Sequence, residues 1–236
     1  MTVTIVLDFD GTIALGAGPL EAFAAAVTAI TADAGFTRRA LAAVSAFDRG
    51  DGDARDGYDV IGTLARSEGV SAQDLEAAYQ ESRTLLGTAA AQIAPPAGLA
   101  GFLASVRTRS RIVLATNAPG AGIRPMLEQW QVGDLFDELH FTVGKPSGLI
   151  PVLRAALAEG PVLSVGDIYD FDLAPAAGLG AATALVGATA ERSPAAVTMR
   201  GRTLADLYGD IETWAADAVS STPTRTTHTE RHDLHA

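Results

Sequence analysis

The sequence contains no cysteine, and its only lysine is Lys145, beside sixteen arginines. The lack of cysteine excludes disulfides, thiolate catalysis and metal sites built on cysteine. No apolar stretch approaches the roughly 18 uninterrupted residues that a membrane-spanning helix needs. The first residues carry no basic segment and only a short apolar run, so we expect no signal peptide, no membrane partner and a cytoplasmic location.

Acidic residues outnumber basic ones, so the formal net charge is −11 and the pI is near 4.7. Nucleic acids are bound by basic surfaces, so we expect no nucleic-acid partner. A small anionic substrate is compatible with this charge, since a local site can oppose the field of the whole protein. With 236 residues, of which 48% are hydrophobic and 19% charged, the chain can form one or two globular domains with a sizeable core.

What the sequence does contain begins with an apolar, β-branched run at residues 2–7, which predicts a buried strand. The run ends in the segment 8–12 (DFDGT). Residues at i and i+2 leave a strand on one face, so Asp8 and Asp10 can reach the same small volume, where they repel each other unless a cation or a shared proton intervenes. Gly11 allows a sharp turn whose amides can face an anion. We therefore expect chemistry at this strand end, with an ordinary polar turn as the alternative.

The apolar spacing between residues 15 and 96 is helical and contains no strand pattern, which predicts an all-helical insert. Its helices are predicted at 19–32, 37–47, 58–67 and 71–86. Strands and helices alternate in the rest of the chain, as in a parallel sheet with helices on both faces. These further strands are predicted at 111–115, 138–142, 162–165 and 181–185, and the helices at 99–107, 120–131, 148–158 and 204–218.

The predicted fold class is therefore α/β, a Rossmann-like parallel sheet with helices on both faces plus a small all-helical cap domain. We expect the core domain to comprise residues 1–14 and 97–219, and the cap domain residues 15–96. Residues 220–236 are polar, poor in apolar side chains and without period, so they are predicted to form a disordered tail.

Three later strand ends also carry polar side chains. Thr116 and Asn117 precede a helix start, where backbone amides and the helix dipole favour an anion, although an ordinary helix cap by Asn117 is the alternative. Lys145 lies between a strand and a helix. Three carboxylates, Asp167, Asp170 and Asp172, fall within six residues directly after an apolar strand, and such crowding favours a hard cation with oxygen ligands. Together with the first strand end, this is the set of groups that Mg²⁺-assisted phosphoryl transfer needs.

In this order the four segments resemble the four motifs of the haloacid-dehalogenase-like (HAD) hydrolase superfamily, and the helical insert is similar to that superfamily's C1-type cap. The resemblance covers the chain to about residue 218. The segments that carry it are DFDGT at 8–12, Thr116–Asn117, Lys145–Pro146 and Gly166–Asp172. The motifs are jointly specific for the superfamily and only weakly specific for a substrate.

The resemblance implies that Asp8 is the nucleophile and forms an aspartyl-phosphate. Asp10 would protonate the leaving group and then activate the hydrolytic water, while Thr116 and Lys145 would hold the phosphoryl oxygens. The implied cofactor is Mg²⁺.

The implied Mg²⁺ ligands are the Asp8 and Asp167 carboxylates and the backbone carbonyl of Asp10. Asp172 would either contact the ion directly or contact one of its ligands. The fourth motif departs mildly from the superfamily pattern, because it carries Ile168 and Tyr169 where small or polar residues are frequent. These departures weaken the assignment of Asp172.

The same residues separate the chemistries of the superfamily. Its dehalogenases lack the second aspartate of the first motif, which is present here as Asp10, and its phosphonatases use a cap lysine, which this cap lacks. We therefore expect Mg²⁺-dependent hydrolysis of a phosphate monoester of a small metabolite through an aspartyl-phosphate on Asp8. A sugar-phosphate mutase and a non-catalytic protein that binds a phosphorylated ligand are the alternatives.

Substrate contacts are predicted at Gly11, Thr12 and Asn117, near the phosphoryl group, and in the loop 48–57 (DRGDGDARDG). Arg49 or Arg55 of this loop can clamp an anion. The alternative is a solvated turn, and the Asp spacing does not follow the EF-hand pattern that a calcium loop would require.

Overall fold

The computed structural model describes residues 2–220 and confirms the predicted α/β class. Six strands form one parallel sheet in the order β3-β2-β1-β4-β5-β6. The strands are β1 Val3–Leu7, β2 Ser110–Ala115, β3 Glu138–His140, β4 Val162–Gly166, β5 Ala182–Leu185 and β6 Met199–Arg200.

The described residues also form nine α-helices, of which the first four lie between β1 and β2. The helices are α1 Gly18–Thr31, α2 Phe36–Arg49, α3 Gly57–Ser67, α4 Ala72–Thr84, α5 Leu99–Val106, α6 Gly120–Gln129, α7 Leu149–Glu159, α8 Ala174–Gly178 and α9 Tyr208–Ser220. A π-helical segment, Tyr169–Leu173, connects β4 to α8. None of the helices in this part of the chain is both long and apolar enough to cross a membrane.

The first strand lies at the centre of the sheet and is covered on both faces, so all five of its residues are buried. Ile5 and Leu7 pack against α5, α6 and α9, whereas Val6 packs on the opposite face against α7 and α8. Burial on both faces explains why the strand is continuously apolar rather than alternating.

Helices α1 to α4 pack around a hydrophobic cluster of their own, which is separate from the clusters that include residues of the sheet. Phe23, Val27, Phe36 and Ile61 lie at its centre with at most 4% of their surface exposed. The four helices therefore form a cap with its own apolar interior, as the helical spacing of residues 15–96 predicts. The exact division of the chain into domains at residues 14, 15, 96 and 97 stays a prediction.

The C-terminal part differs from the predicted elements. The two-residue strand β6 is too short to show a period and was not predicted. The single predicted helix at 204–218 is a 3₁₀ turn, Leu204–Leu207, followed by α9. Ser220, the first residue of the predicted disordered tail, is the last residue of α9, and the remainder of that prediction lies outside the described residues.

The register of the sheet determines which loops meet. Leu7 of β1 is aligned with Leu114 of β2 and with Val165 of β4. The three strands thus end at nearly the same level, and because they are parallel, the segments that follow them leave the same edge of the sheet.

Candidate active site

The loop after β1 divides its side chains between the core and a cavity. The Phe9 ring is fully buried and stacks on Trp130 at a centroid distance of 6.1 Å, which fixes the loop to the hydrophobic core. Asp8 and Asp10, on either side of it in sequence, both line the same cavity. The alternation of side chains at the strand end thus places both carboxylates on this cavity.

Lys145 lies between two of the carboxylates. Its ammonium group donates to Asp8 Oδ1 at 2.6 Å and to Asp172 Oδ1 at 2.7 Å. Burial alone would lower the pKa of Lys145, but the two carboxylates outweigh it and raise that pKa above its usual value. The one lysine of the chain is thus a buried cation held by the ends of β1 and β4.

Asp172 reaches this position through the π-helical segment after β4, a type of distortion that is frequent at functional sites. Its Oδ2 accepts the Ile168 amide at 3.1 Å, and its backbone carbonyl accepts the Ser164 hydroxyl at 2.7 Å. A Cβ at residue 166 would overlap the Asp172 side chain, which explains Gly166. Burial and the Asp8 charge raise the pKa of Asp172, although Lys145 opposes this rise.

Asp167 completes a group of three carboxylates with Asp8 and Asp172, whose oxygens lie within 4.8 Å of one another. Gly11 permits this approach, because its φ is +76° and a Cβ there would overlap the Asp167 carboxylate. Burial and the neighbouring Asp8 and Asp172 charges raise the pKa of Asp167 well above its usual range. Three carboxyl groups thus lie close to a single ammonium group, that of Lys145.

The loop after β2 contributes Thr116 and Asn117. Thr116 is 1% exposed, and its hydroxyl accepts the Ala118 amide at 3.1 Å. Asn117 Oδ1 accepts the backbone amide of Lys145 at 2.7 Å, so this side chain joins the loops after β2 and β3. The N-cap residue of α6 is Pro119, without a side-chain cap, so Asn117 is not the helix cap considered as an alternative.

One cap residue of the site was not predicted. Arg83, at the end of α4, donates from Nη1 to Asp10 Oδ1 at 2.8 Å and to the Tyr58 hydroxyl at 3.2 Å. It is 4% exposed, and its Nη2 has no hydrogen-bond partner among the described residues. Burial raises the pKa of Asp10, and the Arg83 guanidinium opposes that rise.

Sequence reasoning missed Arg83, but a signal was present. The buried positions of α4 are Leu75, Ala78, Ser82 and Arg83, so the arginine lies on the buried face of an amphipathic helix. A cation at such a position needs an anionic partner, since an unpaired buried charge is costly.

These side chains enclose what we call the inner cavity, with a volume of about 320 Å³. Its floor is formed by the sheet loops and its opposite wall largely by the cap. The floor residues are Asp8, Asp10, Gly11, Thr116, Asn117, Lys145, Asp167 and Asp172. The principal wall residues are Leu15, Pro19, Leu20, Asp56, Tyr58, Tyr79 and Phe171.

A second, outer cavity of about 500 Å³ lies between the loop after α2 and the segments after β4 and β5. It is lined by Asp53, Arg55 and Arg192 among others, and it shares Asp167 with the inner cavity. Arg192 donates to the carbonyl of Asp48 at 2.7 Å and thereby links this part of the core to the end of α2.

The three remaining predicted contacts do not line the inner cavity. Thr12 is fully buried. Arg49 is exposed at the end of α2 and lines neither cavity. Arg55 lines the outer cavity, pairs with Asp59 at 3.1 Å, and lies over the Phe171 ring at 5.0 Å.

No protein-family model matches the chain, and no curated protein sequence matches it significantly. Solved structures do. CbbY from Rhodobacter sphaeroides, solved in complex with phosphate, is 19% identical, with a TM-score of 0.58 over 88% of this chain and 96% of that one. YfnB from Bacillus subtilis, described as a HAD-hydrolase and bound to magnesium, is 16% identical, with a TM-score of 0.59 over 89% and 98%.

A 2-haloacid dehalogenase from Pseudomonas syringae is also similar, at 14% identity and a TM-score of 0.53 over 91% of this chain and all of that one. A protein named as a dehalogenase and one solved with bound phosphate thus share this architecture, which leaves the activity to be argued from the site. The likenesses cover nearly the whole length of each neighbour. This protein has the fold of the haloacid-dehalogenase-like hydrolases.

Proposed function

We propose that this protein is a Mg²⁺-dependent phosphatase that hydrolyses the phosphate monoester of a small molecule through an aspartyl-phosphate on Asp8. The observation that carries the proposal is the Lys145 ammonium between Asp8 and Asp172, on the floor of a cavity that Asp10 also lines. The size of the cavity, about 320 Å³, is that of a small-molecule site.

The donor set at the floor fits Mg²⁺, which prefers hard oxygen ligands. Asp8, Asp167 and Asp172 each supply a carboxylate oxygen within 4.8 Å of the others, and the Asp167 carboxylate makes no hydrogen bond or ion pair with any described residue. These carboxylates, together with the backbone carbonyl of Asp10, would hold the ion. When bound there, Mg²⁺ offsets the negative charge of the carboxylates and of the phosphoryl group.

Asp8 acts as the nucleophile in this proposal. Lys145 occupies Asp8 Oδ1, and Oδ2 has no hydrogen-bond partner among the described residues, so one oxygen is available to attack phosphorus. The attack forms the Asp8–phosphorus bond and breaks the bond between phosphorus and the ester oxygen. Lys145 and the Thr116 hydroxyl stabilise the charge on the phosphoryl oxygens as it develops.

Asp10 gives its proton to the departing ester oxygen in the first step. It then takes a proton from the water that attacks phosphorus, which releases inorganic phosphate and restores Asp8. Arg83 positions Asp10 from the cap side through their 2.8 Å ion pair. Burial raises the pKa of Asp10 although the Arg83 guanidinium opposes the rise, and a raised pKa favours the protonated form that the first step requires.

The proposal extends to the division of the chain. Residues 1–14 and 97–219 would form the catalytic core, and residues 15–96 the cap that covers the substrate. The separate hydrophobic cluster of α1 to α4 supports this division, and the cap residues Tyr58 and Tyr79 in the cavity wall support a role in substrate selection.

The test is phosphate release from a panel of phosphorylated small molecules, with Mg²⁺ and with EDTA, for the wild type and for Asp8→Asn. We expect release that requires Mg²⁺ and falls to background in Asp8→Asn, because the amide is not a nucleophile. Asp170→Asn is the matched control, since Asp170 is an exposed neighbour that does not line the inner cavity.

Two results would count against the proposal. Release that persists in Asp8→Asn would exclude Asp8 as the nucleophile. No release from any ester, with folded protein and Mg²⁺ present, would favour a mutase if Asp8 becomes phosphorylated and a non-catalytic binding protein if it does not.

A further inference from the structure

The position of Asp10 determines where the leaving group of the substrate lies. In the proposed reaction Asp8 attacks phosphorus from one side, so the ester oxygen departs on the opposite side and must lie within reach of Asp10. Asp10 lines the inner cavity and not the outer one. The alcohol part of the substrate therefore lies in the inner cavity, next to its cap wall.

That wall is mainly apolar and aromatic. Leu15, Pro19 and Leu20 come from the segment around the start of α1, and Tyr58 and Tyr79 come from α3 and α4. The two tyrosine rings are in edge-to-face contact at 5.6 Å, and each also contacts Phe23 of the cap interior, so the aromatic surface is fixed by packing. Such a surface gains most from burying an apolar group.

The wall also lacks a cation for a second anionic group. Among the described lining residues of the inner cavity, Lys145 is the only one with a positive side chain, and both Asp8 and Asp172 already pair with it. Arg83 does not line the inner cavity, and its Nη1 is bound to Asp10 and to the Tyr58 hydroxyl. Asp56, at the start of α3, adds a carboxylate to the lining.

We propose that the substrate is the phosphate monoester of a compact apolar or aromatic alcohol that carries no second anionic group. This inference rests on the proposed function and narrows it. Phosphorylated carboxylic acids and bisphosphates are disfavoured, because their second anion would lie beside Asp56 without a partner, and like charges brought together in this way are strongly unfavourable.

The outer cavity is the competing location, since it contains Arg55 and Arg192. Both arginines, however, already make contacts with other residues of the protein. Arg55 pairs with Asp59, and Arg192 donates to the carbonyls of Phe47 and Asp48. Asp53 adds a negative charge to the same lining.

The experiment compares kcat/KM for benzyl phosphate and for its 4-carboxy derivative, which carries an additional distal carboxylate; the Asp56→Asn variant then separates the effect of charge from that of size. We expect benzyl phosphate, which lacks the distal carboxylate, to be preferred by at least about tenfold. Asp56→Asn should reduce this preference by about threefold or more, because it removes a charge while asparagine still caps α3. Asp53→Asn, an exposed change in the same loop, should leave the preference as it is.

Calorimetry with benzylphosphonate and 4-carboxybenzylphosphonate in the presence of Mg²⁺ gives a readout that needs no turnover. Tighter binding of benzylphosphonate than of its carboxylated derivative supports the inference. Equal or better use of the carboxylated ester, or tighter binding of the carboxylated phosphonate, would overturn it while leaving the phosphatase proposal intact. Absence of Mg²⁺-dependent release from every ester would overturn both.

Discussion

The floor and the wall of the inner cavity are built in different ways. The floor gathers Asp8, Thr116, Lys145 and Asp167 from loops that leave one edge of the sheet, and the strand register brings them to the same level. The wall comes from helix faces whose side chains pack into the cap interior. In the proposed function the floor would perform one reaction on many esters, whereas the wall would determine which ester fits.

The largest expected effect tests the floor. Replacing Lys145 with methionine leaves Asp8 and Asp172 without the cation that lies between them and removes a stabilising charge from the phosphoryl oxygens. We expect kcat/KM to fall by about 10³-fold, at the upper end of what one electrostatic contact contributes. Steady-state kinetics with the best ester of the panel measures the loss.

The matched control is Arg107→Met, because Arg107 is an exposed cation of the core that pairs weakly with Asp137 at 3.6 Å. It should retain nearly full activity. A loss of less than about tenfold in Lys145→Met, with its circular dichroism unchanged, would remove the buried lysine from the chemistry.

The second prediction tests whether the cap interior is independent of the sheet. Phe36 is fully buried in the hydrophobic cluster of the cap. Phe36→Ala should therefore lower the free energy of unfolding by about 3–5 kcal/mol, and the loss should fall on the cap helices. Hydrogen exchange should then increase in α1 to α4 and much less in β1, β2 and β4.

Ile30→Ala is the control on α1, since Ile30 is 43% exposed and should change stability by less than about 0.5 kcal/mol. If exchange in Phe36→Ala increased equally in helices and strands, cap and core would unfold as one unit, and the proposed division at residues 15–96 would be wrong.

The same contrast explains what could be predicted from the sequence. Strand ends are local features, so an apolar run followed by DFDGT, or by Gly166 and Asp167, shows both the strand and the side chains that leave it. Parallel alternation then implies that these ends share one edge. Five of the six strands and the residues of the floor could be predicted in this way. The exception is β6, which is too short to have a period.

The wall could not be predicted in this way. Which face of a helix meets the cavity depends on the packing of four helices, and that is not encoded at any one position. The polar loop 48–57 led to the prediction that Arg49 or Arg55 contacts the substrate. The arginine that contacts Asp10 is instead Arg83, on the buried face of α4. A charged residue on an apolar face was the more informative signal.

The third prediction tests this contact. Arg83→Gln keeps a hydrogen-bond donor but loses the charge that positions Asp10, so we expect kcat to fall about tenfold with a smaller change in KM. Asp10→Asn should cost about 10²-fold. Both losses should shrink with 4-nitrophenyl phosphate, because a good leaving group needs little protonation.

Arg66→Gln, an exposed change in the same cap, is the control. A purely structural role for Arg83 would give the same loss for alkyl and nitrophenyl esters. Recovery in Arg83→Lys, which restores the charge but not the planar group, would indicate that charge rather than hydrogen-bond geometry positions Asp10.

The smallest expected effect separates the two arginines of the loop 48–57. Arg55 lies over the ring of Phe171, which lines the inner cavity. Arg55→Ala removes this contact, so KM should rise by a few-fold while kcat stays nearly constant. That rise corresponds to the free energy of about one exposed cation–π contact. Arg49 is exposed and lines neither cavity, so Arg49→Ala should change nothing. The reverse order would mean that the wall extends to the end of α2. In that case the loop, rather than the aromatic face of α3 and α4, would select the ester.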